Sequence, residues 1–191
     1  PLPMSHFYPG GRSRVDRHIA LARESHARRF GLPPAGMWPA EGALSDALIR
    51  QLAAQGCRWA ASSQSVLANS QRRDNVAASG QPHHRPWRLA AAPELALFFR
   101  DERLSDLIGF SYSDWHADDA VANLVGHMEN IARACPDRDD CLITIILDGE
   151  NAWEYYPENG YHFLSQLYRS LAKNPLLQMT TFEQFLRDQS E

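Results

Sequence analysis

"CLITIILDGE", Cys141 to Glu150, decides the fold. From Leu142 to Leu147 every residue except Thr144 is apolar, isoleucine dominates, and neither glycine nor proline interrupts the run. A continuous apolar stretch of this kind, rich in β-branched residues, argues a strand covered on both faces, as in a parallel sheet. It stops abruptly on Asp148, Gly149 and Glu150, with Trp153, Tyr155 and Tyr156 just beyond. Parallel α/β folds carry their chemistry outside the carboxyl ends of the strands. The stretch therefore predicts a sheet and a site together.

Working outward, elements alternate. Val15, Ile19, Ala22, His26 and Phe30 recur at helical steps, and Gly31 stands at the C-cap position. Ser45 suits the N-cap of a second helix with Leu48, Ile49, Leu52 and Ala53 on its apolar face, closed by Gly56. Cys57 to Ser62 reads as a short buried strand. Asn69 to Pro86 is polar and broken by Gly80, Pro82 and Pro86, which predicts a long mobile loop acting as a lid, with His83 and His84 solvated. "ELALFFRD" is a further strand that stops on Arg100 and Asp101. "LSDLIGFSY" suggests a helical turn, and Asp118 to Arg133 and Gly160 to Lys173 suggest helices. "LQMTT" reads as a last strand before a short terminal helix. This alternation means an α/β domain with a mainly parallel sheet. Residues 1–14, rich in Pro, Gly and Arg, read as a linker or N-terminal extension, and residues 15–191 as the domain.

Bulk properties narrow the function. The 191 residues suffice for a sizeable core, and 44% hydrophobic with 22% charged is ordinary for a globular protein. A formal net charge of −4 offers no basic stripe for phosphates, so neither nucleic acid nor an anionic membrane is expected as partner. No apolar run approaches a membrane span and no leader pattern opens the chain, so a cytoplasmic setting is expected. Cys57, Cys135 and Cys141 form an odd, unpatterned set, suggesting neither a disulfide framework nor a zinc site.

Three segments share one layout, strand then acid then loop: "GMWPAE" ending at Glu41, "LALFFRD" at Asp101, and "ITIILDGE" at Asp148 and Glu150. A single instance is more often a solvated strand end or a helix cap. Three, each flanked by aromatics, fit sugar chemistry: one carboxyl protonates a leaving oxygen, another attacks or stabilises the anomeric carbon, and aromatic faces stack on the rings. Trp38, Trp153 and Tyr155 are candidates for that contact, although Trp153 and Tyr155 serve equally well as packing, whereas Trp59 and Trp87 read as packing alone. Arg100, beside Asp101, is placed either to hold a carboxylate in the cleft or to stand as a surface strand-end charge.

"GMWPAEGALSDALI", "FFRDERLSDLIGFSYS" and "ILDGENAWEYYPENGYHFLSQLYRSL" together resemble glycoside hydrolase family 57, the α-amylase and 4-α-glucanotransferase family, in its bacterial amylase-like branch. The likeness runs from about Phe30 to the C-terminus. It implies a partial (β/α)7-type barrel with mainly parallel strands, lacking the first strands, and a retaining hydrolase or transglycosylase acting on α-glucans. The W-x-x-E motif matches Trp38 to Glu41, implying Glu41 as nucleophile, and the D-x-E motif implies Asp148 as general acid/base, with Glu150 orienting it. Substrate would also meet Trp38, Arg100, Asp101, Glu150, Trp153 and Tyr155. No metal or organic cofactor is required by that chemistry. The family's first motif, His-Gln-Pro, has no counterpart, since Gln81-Pro82-His83 lies after Glu41. Where relatives of this branch carry acids after "RWAA", this chain reads Ser62-Ser63-Gln64-Ser65.

These readings set further expectations. The missing strands would leave an open barrel edge, inviting a homodimer or coverage by the first 14 residues. Asp148 would start protonated, through burial against Trp153 and the nearby Glu41 charge. A metal-dependent polysaccharide deacetylase is the nearest rival, needing an Asp and two convergent histidines. His18 and His26 lie off a common helix face and His83 and His84 are adjacent, so neither pair is expected to supply that geometry. A sugar-binding fragment without turnover is the other rival.

Overall fold

The computed structural model describes residues 10–76, 80–136, 140–150 and 152–189. Helix α1, Gly11–Phe30, starts ahead of the Val15 periodicity and ends where Gly31, at φ 81°, turns left-handed and donates its N–H to Ala27 O. The chain then forms the short strand β1, Gly36–Met37, a 3-10 turn Ala40–Gly42, and helix α2, Asp46–Ala54. Ser45 caps α2 as expected, its hydroxyl accepting from the Leu48 N–H. Strand β2, Trp59–Ser63, leads straight into helix α3, Gln64–Arg73. After a 3-10 turn Pro82–His84 come β3, Trp87–Leu89, and β4, Ala92–Arg100. Helix α4, Glu102–Asp106, a π turn Leu107–Ser111, and helices α5, Ala117–Ala134, α6, Tyr161–Ala172, and α7, Phe182–Asp188, complete the order.

The sheet runs β1-β2-β4-β3 and is open, not closed. β1 pairs β2 and β2 pairs β4 in parallel, while β3 returns antiparallel along the first half of β4. Side chains alternate across it with period two. Ala60, Leu97 and Phe99 face Val15 and Ile19 of α1 and Ile49 and Leu52 of α2. Ala61, Ala96 and Phe98 face Trp38, Leu142, Ile146 and α7, with Phe98 stacked on Phe182 at 4.3 Å between ring centroids. A third cluster joins α4, α5 and α6 through Leu104, Val121, Leu124 and Phe163.

Several expectations are corrected. The run 141–147 is extended, but it forms no ladder and is not a strand of the sheet. It alternates as a strand would: Leu142 and Ile146 enter the Phe98 cluster, and Ile143, Ile145 and Leu147 enter the cluster of α5 and α6. Both faces are thus packed without regular pairing, but its apolar residues are only half-buried and Thr144 alone is fully buried. Asn69–Pro86 is no continuous loop: Asn69 to Arg73 finish α3, and His83 and His84 are buried rather than solvated. The part of the expected lid at 77–79 lies outside the described residues. "LQMTT" forms no strand; instead the Asn174 side chain accepts from the N–H groups of Leu176 and Leu177. Two of the three cysteines are joined, Cys135 to Cys141, because the C-cap of α5 lies against the start of the extended run. Among the described residues no helix is long and apolar enough to cross a membrane.

Candidate active site

β1, β2 and β4 are parallel, so their carboxyl ends open on one side, where the candidate residues are found. β1 carries the chain past Trp38 into the turn that holds Glu41. The Trp38 ring covers Gly42 so closely that a Cβ there would lie 2.8 Å from its Cη2. Ser62 at the end of β2 is fully buried, and its hydroxyl donates to Gly42 O. Part of the serine stretch that stands in place of acids therefore fixes the glutamate turn. Glu41 itself is exposed, and its backbone is left-handed at φ 57° and ψ 23°, a region an L-residue adopts at a cost of about 1–2 kcal/mol.

Beyond β4 the extended run is held by scattered hydrogen bonds. Leu142 N–H donates to His84 O at 2.8 Å, and Asp101 N–H donates to Thr144 O at 2.8 Å. Ile146 is gripped from both sides: its N–H donates to Ser105 Oγ at 3.3 Å, and its carbonyl accepts from Arg100 Nε at 2.9 Å. These contacts carry the run past the end of β4, and it emerges as an exposed turn at Asp148, Gly149 and Glu150.

Arg100 does hold a carboxylate, that of Asp106. Its Nη2 pairs with Asp106 at 2.6 Å while Nε holds the Ile146 carbonyl, so it secures the run and not Asp101. Asp101 is turned inward at 5% exposure. Oδ1 accepts from the Leu104 N–H at 2.9 Å, capping α4, and Oδ2 meets His84 Nε2 at 2.8 Å and His83 Nε2 at 3.6 Å. Burial alone would raise its pKa, but the close His83 imidazole and the hydrogen bonds from His84 and the Leu104 N–H hold the carboxyl well below the usual range.

The expected burial of Asp148 against Trp153 is not found. Asp148 is exposed, whereas the Trp153 ring turns toward α6, T-shaped to Tyr156 at 5.4 Å and against Gly160. Tyr156 anchors this aromatic turn: its hydroxyl donates to Ile108 O at 2.5 Å, and burial pushes its pKa up to about 12. Tyr155, in contrast, is 77% exposed. A broad open hollow of about 2080 Å³ is lined by Trp59, Leu142, Thr144, Met128 and Phe182, and by neither Glu41 nor Asp148.

The convergence of His83, His84 and Asp101 was not foreseen. Adjacent histidines after a proline look like loop residues. Only the antiparallel return of β3 along β4 brings them to the strand end where Asp101 sits. The "RD" that stops β4 was the one local signal.

The model for glycosyl hydrolase family 57 matches residues 3–191. Among solved structures the chain is similar to the 4-alpha-glucanotransferase from Thermococcus litoralis, with a TM-score of 0.63 at 18% identity, over 87% of this chain and 24% of that one. The chain thus spans about a quarter of that enzyme's length, and the likeness is one of fold. No curated protein matches it. An open, mainly parallel sheet and a family match over nearly every residue lead to one conclusion: the chain belongs to glycosyl hydrolase family 57.

Proposed function

We propose that this chain carries the catalytic carboxylates of a retaining glycoside hydrolase or transglycosylase acting on α-glucans, with Glu41 as nucleophile and Asp148 as general acid/base. The observation that carries this reading is the backbone of Glu41. A non-glycine residue in a left-handed conformation, exposed just past a parallel strand and locked by Trp38 and Ser62, is strain kept where geometry matters. Asp148 supports it from the other side, exposed at the end of a run fixed by Arg100 and Ser105.

In this reading Glu41 attacks the anomeric carbon while Asp148 gives its proton to the leaving oxygen. Asp148 then takes a proton from water or from an acceptor sugar hydroxyl, which displaces Glu41. Trp38, Glu150 and Tyr155 border the sugar, Trp153 forms the wall behind, and Arg100 and Asp101 hold the framework.

The test is to replace Glu41 with Gln and Asp148 with Asn in the protein that carries this chain. Each should lower turnover of maltodextrin by about 10³-fold or more with unchanged circular dichroism, and the product should keep its anomeric configuration. Full activity in either amide variant would refute the assignment. Bound glucan should bring the two carboxyl groups to about 5–5.5 Å, whereas about 6.5–9.5 Å would mean inversion.

A further inference from the structure

His83, His84 and Asp101 are 7%, 2% and 5% exposed, and each offers a ligand atom within 4.8 Å of the others. Both imidazoles converge on one carboxylate oxygen, and their rings lie 4.0 Å apart at a 56° tilt. The other oxygen is committed to the Leu104 N–H. A metal held through the Nε2 atoms that face Asp101 would shift the His84 proton to Nδ1, which is buried without a partner. Two imidazole nitrogens and a carboxylate oxygen facing one another in a closed site form a mixed nitrogen–oxygen donor set of the kind that holds transition metals.

We infer that these three residues bind a divalent transition-metal ion of the zinc type. Two imidazoles and a carboxylate suit zinc, cobalt or nickel far better than magnesium or calcium, which prefer all-oxygen shells. Three protein ligands leave a fourth position for water, but all three residues are closed off from solvent, so the ion serves the fold and not the substrate. It would tie the Pro82–His84 turn to the end of β4, where the main chains of His84 and Asp101 bond Leu142 and Thr144. The inference does not depend on the glycosidase reading, and the retaining chemistry takes no step through the ion.

The test uses the untagged chain, stripped with a chelator and titrated with Co²⁺ and then Zn²⁺. We expect one Co²⁺ per chain with a visible d–d band. Zn²⁺ at about a hundredfold excess over its Kd should raise the Tm by about 5–10 °C. Imidazole nitrogen NMR should show Zn²⁺ perturbing His83 and His84 among the eight histidines. His83→Gln should weaken Co²⁺ binding about a hundredfold. Absence of both the band and the Tm shift in the unaltered chain overturns the inference, as does perturbation confined to surface histidines such as His116 or His162. Because the unaltered chain decides, poor folding of the variant changes nothing.

Discussion

Glu41 holds a backbone conformation that glycine takes freely and glutamate does not. Glu41→Gly should therefore be more stable than Glu41→Ala by about 1 kcal/mol in urea unfolding, while both lose turnover. Equal stability would mean that the turn relaxes and stores no strain. Gly36 makes the opposite case. It pairs with Trp59 across β1 and β2, and a Cβ there would lie 2.0 Å from the indole. Gly36→Ala should cost about 1–3 kcal/mol by denaturant titration, because the ring has to leave its place. At this scale the sequence was legible where spacing sets local structure, as in the Ser45 cap of α2. It was silent on strain, because a positive φ leaves no trace in a residue's identity unless the residue is glycine.

The extended run 141–147 shows what an element's composition does and does not specify. Alternate burial follows from its apolar residues, and that much was readable. Ladder formation depends on which backbone lies alongside. Here β3 occupies the first half of the outer edge of β4, leaving only its end for the run. Arg100 and Ser105 take over the work of a neighbouring strand. Arg100→Met should then cost about 1.5–3 kcal/mol and speed amide exchange across residues 142–147, with α1 and α2 unaffected. Uniform acceleration throughout the chain would argue against a local role. The aromatic turn that follows depends on pH in a definite direction. The Tyr156 pKa lies above its model-peptide value of 10.0 because burial, and secondarily Tyr112, disfavour the phenolate. Its contribution to stability is complete below pH 10.0 and is lost as pH rises through about 12. Unfolding free energy should fall across that window, and Tyr156→Phe should flatten the fall.

At the scale of the molecule, the parallel order and the helices flanking it followed from alternating patterns, because those patterns are local. The contacts that complete the site are not local: His84 to Asp101, and Arg100 to Ile146, join segments whose meeting depends on the topology. The same topology leaves the sheet open at β1, a two-residue strand bonded only on its β2 side, beside a hollow of about 2080 Å³. Unpaired edge groups beside exposed apolar surface favour pairing with another backbone. We expect the isolated chain to self-associate through this edge, with sedimentation showing a concentration-dependent dimer and the Gly36 and Met37 amides gaining exchange protection on association. We also expect weak turnover from the isolated chain, since it spans a quarter of the related enzyme's length and a glucan has to be gripped along its sides as well as cleaved. The two expectations separate cleanly. A monomer at every concentration would remove the edge argument, while brisk maltodextrin cleavage by that monomer would show that the carboxyl ends of β1 and β4 suffice to hold the sugar.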